Sequence, residues 1–131
     1  MKKNDFITNI KINIENIYVN ISDVFEIKKE EFKMLILNII NAFQYNEKLN
    51  EKEISMNIFS IENLQELKST LIKIGLTEDE IKKIIVKSPI IILYSDKLSD
   101  IYYLFKNKKY YGYTILDNKK YDFLSFYKYF L

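Results

Sequence analysis

Chemistry at neutral pH needs a group that can trade a proton, attack an electrophile or hold a metal, and this chain offers few. Its 131 residues contain no histidine, no cysteine and no tryptophan, and all 20 basic residues are lysine. That removes imidazole catalysis, thiolate metal sites, disulfides and bidentate guanidinium recognition. Carboxylates, lysines and tyrosines are left. Carboxylates gather at Glu30-Glu31 and at Glu78-Asp79-Glu80, a pattern that can serve general acid–base work or bind a hard cation. Both clusters fall in the first turn of a predicted helix, where the helix dipole favours negative charge, and that structural role outweighs the catalytic one. No glycine-rich phosphate loop, G-x-S-x-G elbow or H-E-x-x-H motif is present. The expectation is a non-enzymatic chain with no cofactor and no metal ion.

The second concentration of chemistry is Lys106, Lys108, Lys109, Tyr110, Tyr111 and Tyr113, set around Gly112. The net charge of +2 comes from this end of the chain, because residues 106–131 hold six lysines against two acids. From Tyr102 onward the chain also carries 12 of its 20 aromatic residues. Lysines interleaved with tyrosines can neutralise phosphates while the rings stack on bases. Exposed tyrosines are equally the residues that protein interfaces favour. A third reading puts the phenylalanines in the core and leaves the lysines to solvate the surface.

These groups need elements to hold them. Apolar residues make up 48% of the chain and charged ones 29%, the profile of one folded domain spanning 1–131. Two glycines and one proline leave little material for the turns of an all-β fold, so the fold class expected is all-α: a compact bundle of about six to seven helices. Phe6, Ile10, Ile14, Ile17, Ile21 and Phe25 form a helical stripe, whereas Ile10, Ile12 and Ile14 alternate as in a strand; helix is preferred, with a small β element at 10–21 as the alternative. Residues 28–44 read as a helix with a wide apolar face (Phe32, Leu35, Ile36, Ile39, Ile40, Phe43) that Met34 and Leu37 extend. The polar interval 46–57 is an exposed helix or a connection. Ser60 caps a helix through Leu64, Leu67, Leu71 and Ile72 that ends near Gly75.

Thr77 and Glu80 form a T-x-x-E capping box, Ile81, Ile84 and Ile85 follow on one face, and Ser88-Pro89 stops that helix. The short apolar run Ile90 to Leu93 comes next, and Ser95 can cap a further helix carrying Leu98, Ile101, Tyr102 and Phe105. The end of the chain puts Tyr121, Leu124 and Tyr127 at helical spacing, with a hairpin turning at Asp117-Asn118, hence a β element at 110–124, as the competitor.

Sliding residues 74–98 back by 49 positions lays them over 25–49. Glu31, Lys33, Ile36, Tyr45, Lys48 and Leu49 then match Glu80, Lys82, Ile85, Tyr94, Lys97 and Leu98, against roughly three matches expected by accident in so biased a composition. A fainter copy begins near Tyr111, where Gly112, Thr114, Lys119, Lys120 and Ser125 match Gly75, Thr77, Lys82, Lys83 and Ser88. The bundle is therefore expected to consist of two to three degenerate helix-break-helix repeats.

The order Leu71, Gly75-Leu76, Glu80-Ile81, Ile84-Ile85, Pro89, Leu93, Tyr94-Ser95 and Leu98 resembles the repeat of the mitochondrial transcription termination factor family, best over 71–105. That resemblance implies a superhelix of helix pairs whose basic concave face holds nucleic acid. On this chain the face would use Lys82, Lys83, Lys87, Lys106, Lys108 and Lys109.

Two functions follow. The first, favoured by the near-neutral charge and the missing arginine, is a small regulator or inhibitor that binds a protein partner through Lys106 to Tyr113; a phage or mobile-element protein blocking a host defence complex fits. The second is a nucleic-acid binder of the termination-factor kind. The Met1-Lys2-Lys3 start does not lead into a secretory signal, and no apolar run approaches the roughly 20 residues of a membrane span. No membrane partner is expected, and the expected compartment is the cytoplasm of a bacterial or infected host cell.

Overall fold

The computed structural model describes residues 1–45, 51, 53–73, 75–87, 89–93 and 95. All regular structure among the described residues is helical, in the order α1 (Lys3–Ile12), α2 (Ile14–Phe25), α3 (Lys29–Tyr45), a 3₁₀ turn (Met56–Phe59), α4 (Ile61–Lys73), α5 (Glu78–Lys87) and α6 (Ile90–Leu93). The alternative of a strand within 10–21 is thereby overturned. Ile10, Ile17 and Ile21 are buried while Ile12 is 73% exposed, so the side chains follow a helical period and not a period of two. The single stripe is cut at Asn13, whose N–H and side-chain amide both donate to the carbonyl of Asn9. Competition of this kind from an asparagine amide is a common reason for a helix to break. The alternatives for 110–124 and the partial repeat near Tyr111 lie outside the described residues.

Local signals set most of the other boundaries. Ser60 Oγ accepts the N–H of Asn63 at 3.2 Å and opens α4. Before α5, Thr77 Oγ1 accepts the Glu80 N–H at 3.2 Å and Glu80 Oε1 accepts the Thr77 N–H at 3.0 Å, completing the capping box. α5 ends at Lys87, before Ser88-Pro89. Ile91, Ile92 and Leu93 of α6 are fully buried. Ser95 is buried too: its hydroxyl donates to the Ile92 carbonyl at 2.7 Å and accepts from Asn63 Nδ2 at 2.8 Å. The helix expected after Ser95 lies outside the described residues.

The helices pair in register with the 49-residue offset. α2 packs on α4, and α3 packs on α5. Between α2 and α3 the chain turns at Glu26, which adopts the left-handed conformation with φ 57° and donates its N–H to the Ser22 carbonyl. Between α4 and α5 it turns at Gly75, with φ 104°, where Gly75 N–H bonds the Ile72 carbonyl and Leu76 N–H the Leu71 carbonyl, as in a Schellman closure. Glu26 and Gly75 are the two positive-φ residues among those described, and they stand 49 apart. Ile27 and Leu76, the next residues, are both buried. Lys28 N–H then donates to Glu31 Oε1 at 2.9 Å, as Thr77 N–H does to Glu80.

These two corners carry a paired prediction. A Cβ at Gly75 would meet no atom within 4 Å, so Gly75→Ala costs only backbone strain, about 1–2 kcal/mol net of the stiffer unfolded chain. Glu26→Gly relieves a left-handed non-glycine residue and is expected to raise stability by roughly 0.5–1 kcal/mol. Urea titration of the two variants checks both signs.

One expectation about the core is corrected. Met34 and Leu37, read as extending the buried face of the second long helix, are 53% and 56% exposed, and Ile40 and Ile72 also reach solvent. The buried set on α3 is Phe32, Leu35, Ile39 and Phe43. Apolar residues surround most of α3, but among the described helices its main neighbour is α5, so only one face is covered. Asn38 helps fix that face by donating to the Val86 carbonyl at 2.8 Å, near the end of α5, where carbonyls lack helical partners.

Candidate interaction surfaces

Of the lysines singled out by sequence, Lys82, Lys83 and Lys87 belong to α5, whereas Lys106, Lys108, Lys109, Tyr110, Tyr111 and Tyr113 lie outside the described residues. Lys82 is engaged: its Nζ is 3.5 Å from Glu31 Oε1 on the neighbouring α3. Lys83 and Lys87 are exposed, one turn apart. The structure therefore separates Lys82, which ties two helices together, from the other two, which are free to meet a ligand.

The carboxylate clusters sit where the helix dipole wants them. Glu31 lies below its ordinary carboxylate range because the Lys28 backbone N–H donates to it; partial burial works against this shift, and the charge of Lys82 adds to it. Among the described residues no group of three or more histidines, cysteines or acids is arranged to hold a metal ion. No described helix is long and apolar enough to cross a membrane.

Where the α2–α3 corner meets the second helix pair, it sits in a notch. Phe25 and Glu26 enter from the first pair, and Lys68, Glu78, Ile81 and Lys82 line the notch from the second. Lys68 Nζ donates to the Val24 carbonyl at 3.1 Å and lies 3.4 Å from Glu78 Oε1. An aromatic side chain is thus buried at the centre, with ionic contacts on the rim. With the corner in place, about 70 Å³ stays open.

Sequence reading missed a second concavity, an open groove of about 430 Å³ between α2 and α3. Tyr18 and Phe32 line it together, their ring centroids 5.1 Å apart and tilted by 56°. Ile14 and Val19 add apolar wall, Val19 being 50% exposed. Glu15, Lys29 and Lys33 form the rim, and Lys33 is 3.6 Å from Glu30, an exposed pair of the kind worth little in stability. The only sequence signal was a pair of residues, Tyr18 and Val19, that fall beside the apolar stripe and not on it.

No protein-family model, curated protein or solved structure matches this chain.

Proposed function

We propose that this chain is a non-catalytic protein-binding module, a small regulator or inhibitor that acts by docking onto a larger protein. The observation that carries the reading is the α2–α3 groove: half-buried Tyr18 and half-exposed Val19 sit over the buried ring of Phe32, with charged residues only at the rim. Surfaces of this make-up, an aromatic centre within a polar rim, are typical of protein contacts. The tyrosines at 110, 111 and 113 are proposed as a second contact, on sequence grounds.

The nucleic-acid reading keeps a smaller share of support. Lys83 and Lys87 stand exposed along one face of α5, but Lys82 is committed to Glu31, which reduces the charge available for phosphates. A groove that binds nucleic acid also calls for a stronger positive balance than +2.

The deciding experiment immobilises the full chain and challenges it with bacterial lysate and, separately, with DNA and RNA at about 50 mM salt. The expected result is a discrete retained protein whose capture drops with Val19→Asp or with the Tyr110→Ala/Tyr111→Ala/Tyr113→Ala triple variant. A nucleic-acid shift that weakens steeply with salt, with no retained protein, would replace this reading with the alternative.

A further inference from the structure

The groove and the notch share four positions of the two helix pairs. Moving along the chain by 49, Val19, Lys29, Phe32 and Lys33 of the groove become Lys68, Glu78, Ile81 and Lys82 of the notch. The notch is filled and the groove is open. What fills the notch is a specific object: the corner of a helical hairpin, delivering Phe25 from the end of one helix and the Glu31 carboxylate from the third position of the next.

We propose that the α2–α3 groove is a docking site for the corner of a helical hairpin on a partner protein, one that presents an apolar side chain at the end of its first helix and carboxylates in the first turn of its second. This deepens the protein-binding reading and rests on it. Lys33 stands where Lys82 stands and takes the role of binding the partner's carboxylate. Its present contact, Glu30 on the exposed side of the same helix, is easily exchanged.

The differences between the two sites specify the partner further. In the notch Lys68 reaches a backbone carbonyl; in the groove its counterpart is Val19, so that polar contact is replaced by apolar wall. In the notch Glu78 adds negative charge; in the groove its counterpart is Lys29. The rim therefore offers two lysines, Lys29 and Lys33, against Glu15. The partner corner that complements it is more acidic and more apolar than this chain's own. Such a corner needs no enclosed pocket, because most of its contact area comes from helix faces laid side by side.

The test uses isotope-labelled full chain and a defined probe: residues 14–45 of this protein carrying Lys28→Glu, which makes its corner more acidic, grafted onto the free ends of an antiparallel coiled coil, so that the two helices of the probe are held as a pair. Amide shifts at Val19, Lys29 and Lys33 are expected to move and saturate. Lys33→Glu, at an exposed position that leaves folding intact, should weaken binding by about fivefold, and a probe carrying Glu31→Lys should restore it. Val19→Asp should abolish it. Absence of groove shifts at millimolar probe overturns the proposal, as do shifts confined to α5 or shifts indifferent to Lys33→Glu. Concentration-dependent broadening at the groove without probe would assign the site to a second copy of this chain and equally overturn it. Capture of a lysate protein through the tyrosine segment, unaffected by Lys33→Glu, would sink this inference while leaving the protein-binding reading intact.

Discussion

Phe6→Ala is expected to lower the free energy of unfolding by about 3–5 kcal/mol, read as a shift in the urea midpoint without a change in slope. Phe6 is fully buried, and it is where three stretches distant in sequence meet. Its ring is 5.7 Å from that of Phe43 on α3, tilted by 56°, and 5.9 Å from that of Phe59 in the 3₁₀ turn, stacked at 11°. Alanine would forfeit the burial of one large side chain, leave a cavity with rigid walls, and remove two aromatic contacts worth about 0.5–1.5 kcal/mol each. The sum approaches the whole stability of a small domain, about 5–15 kcal/mol. A measured loss below about 1 kcal/mol would mean that α1 does not close over this core.

Legibility from sequence followed the range of the interaction responsible. The capping box at Thr77 and Glu80, the Ser60 cap and the stop at Ser88-Pro89 were readable because each is decided within a few residues. The helix expected at 28–44 is found at Lys29–Tyr45 for the same reason. What was not readable depends on neighbours. Met34 and Leu37 look like core on a helical wheel, and only the placement of α5 decides that α3 turns them outward. Glu26 has no side-chain reason to adopt a left-handed conformation; its equivalence to Gly75 at the offset of 49 could have flagged it, since a glycine there marks a turn that a non-glycine residue can also be made to take. The groove escaped because it is a property of two helices seen together. Its counterpart, the notch, shows the limit from the other side: Lys82 is one of the lysines that the nucleic-acid alternative would use, and its pairing with Glu31 is a tertiary contact that spacing along the chain does not reveal.

Leu35→Ala and Ile84→Ala are expected to cost about 2–5 kcal/mol each. Both are buried, they stand 49 apart, and they lie on α3 and α5, the helices that join the second member of one pair to the second member of the other. Met34→Ala and Leu37→Ala, on the same helix but facing solvent, are expected to change stability by less than about 0.5 kcal/mol. That contrast tests the burial pattern on α3 directly. The shape of the unfolding curve tests something larger. If each helix pair were a self-sufficient unit, Leu35→Ala would unfold the first pair early and leave the second, giving two transitions. A short helical hairpin, however, cannot bury enough surface to stand alone, and stability in stacked repeats comes chiefly from the interfaces between units. The buried residues here form one continuous cluster that runs through α2, α3, α4 and α5. Both variants should therefore unfold in a single transition at a lower urea midpoint. The same coupling bears on the groove, because Phe32 in its wall lies one turn from Leu35: a loss of packing at Leu35 is expected to weaken hairpin binding at the groove even though Leu35 is not part of it.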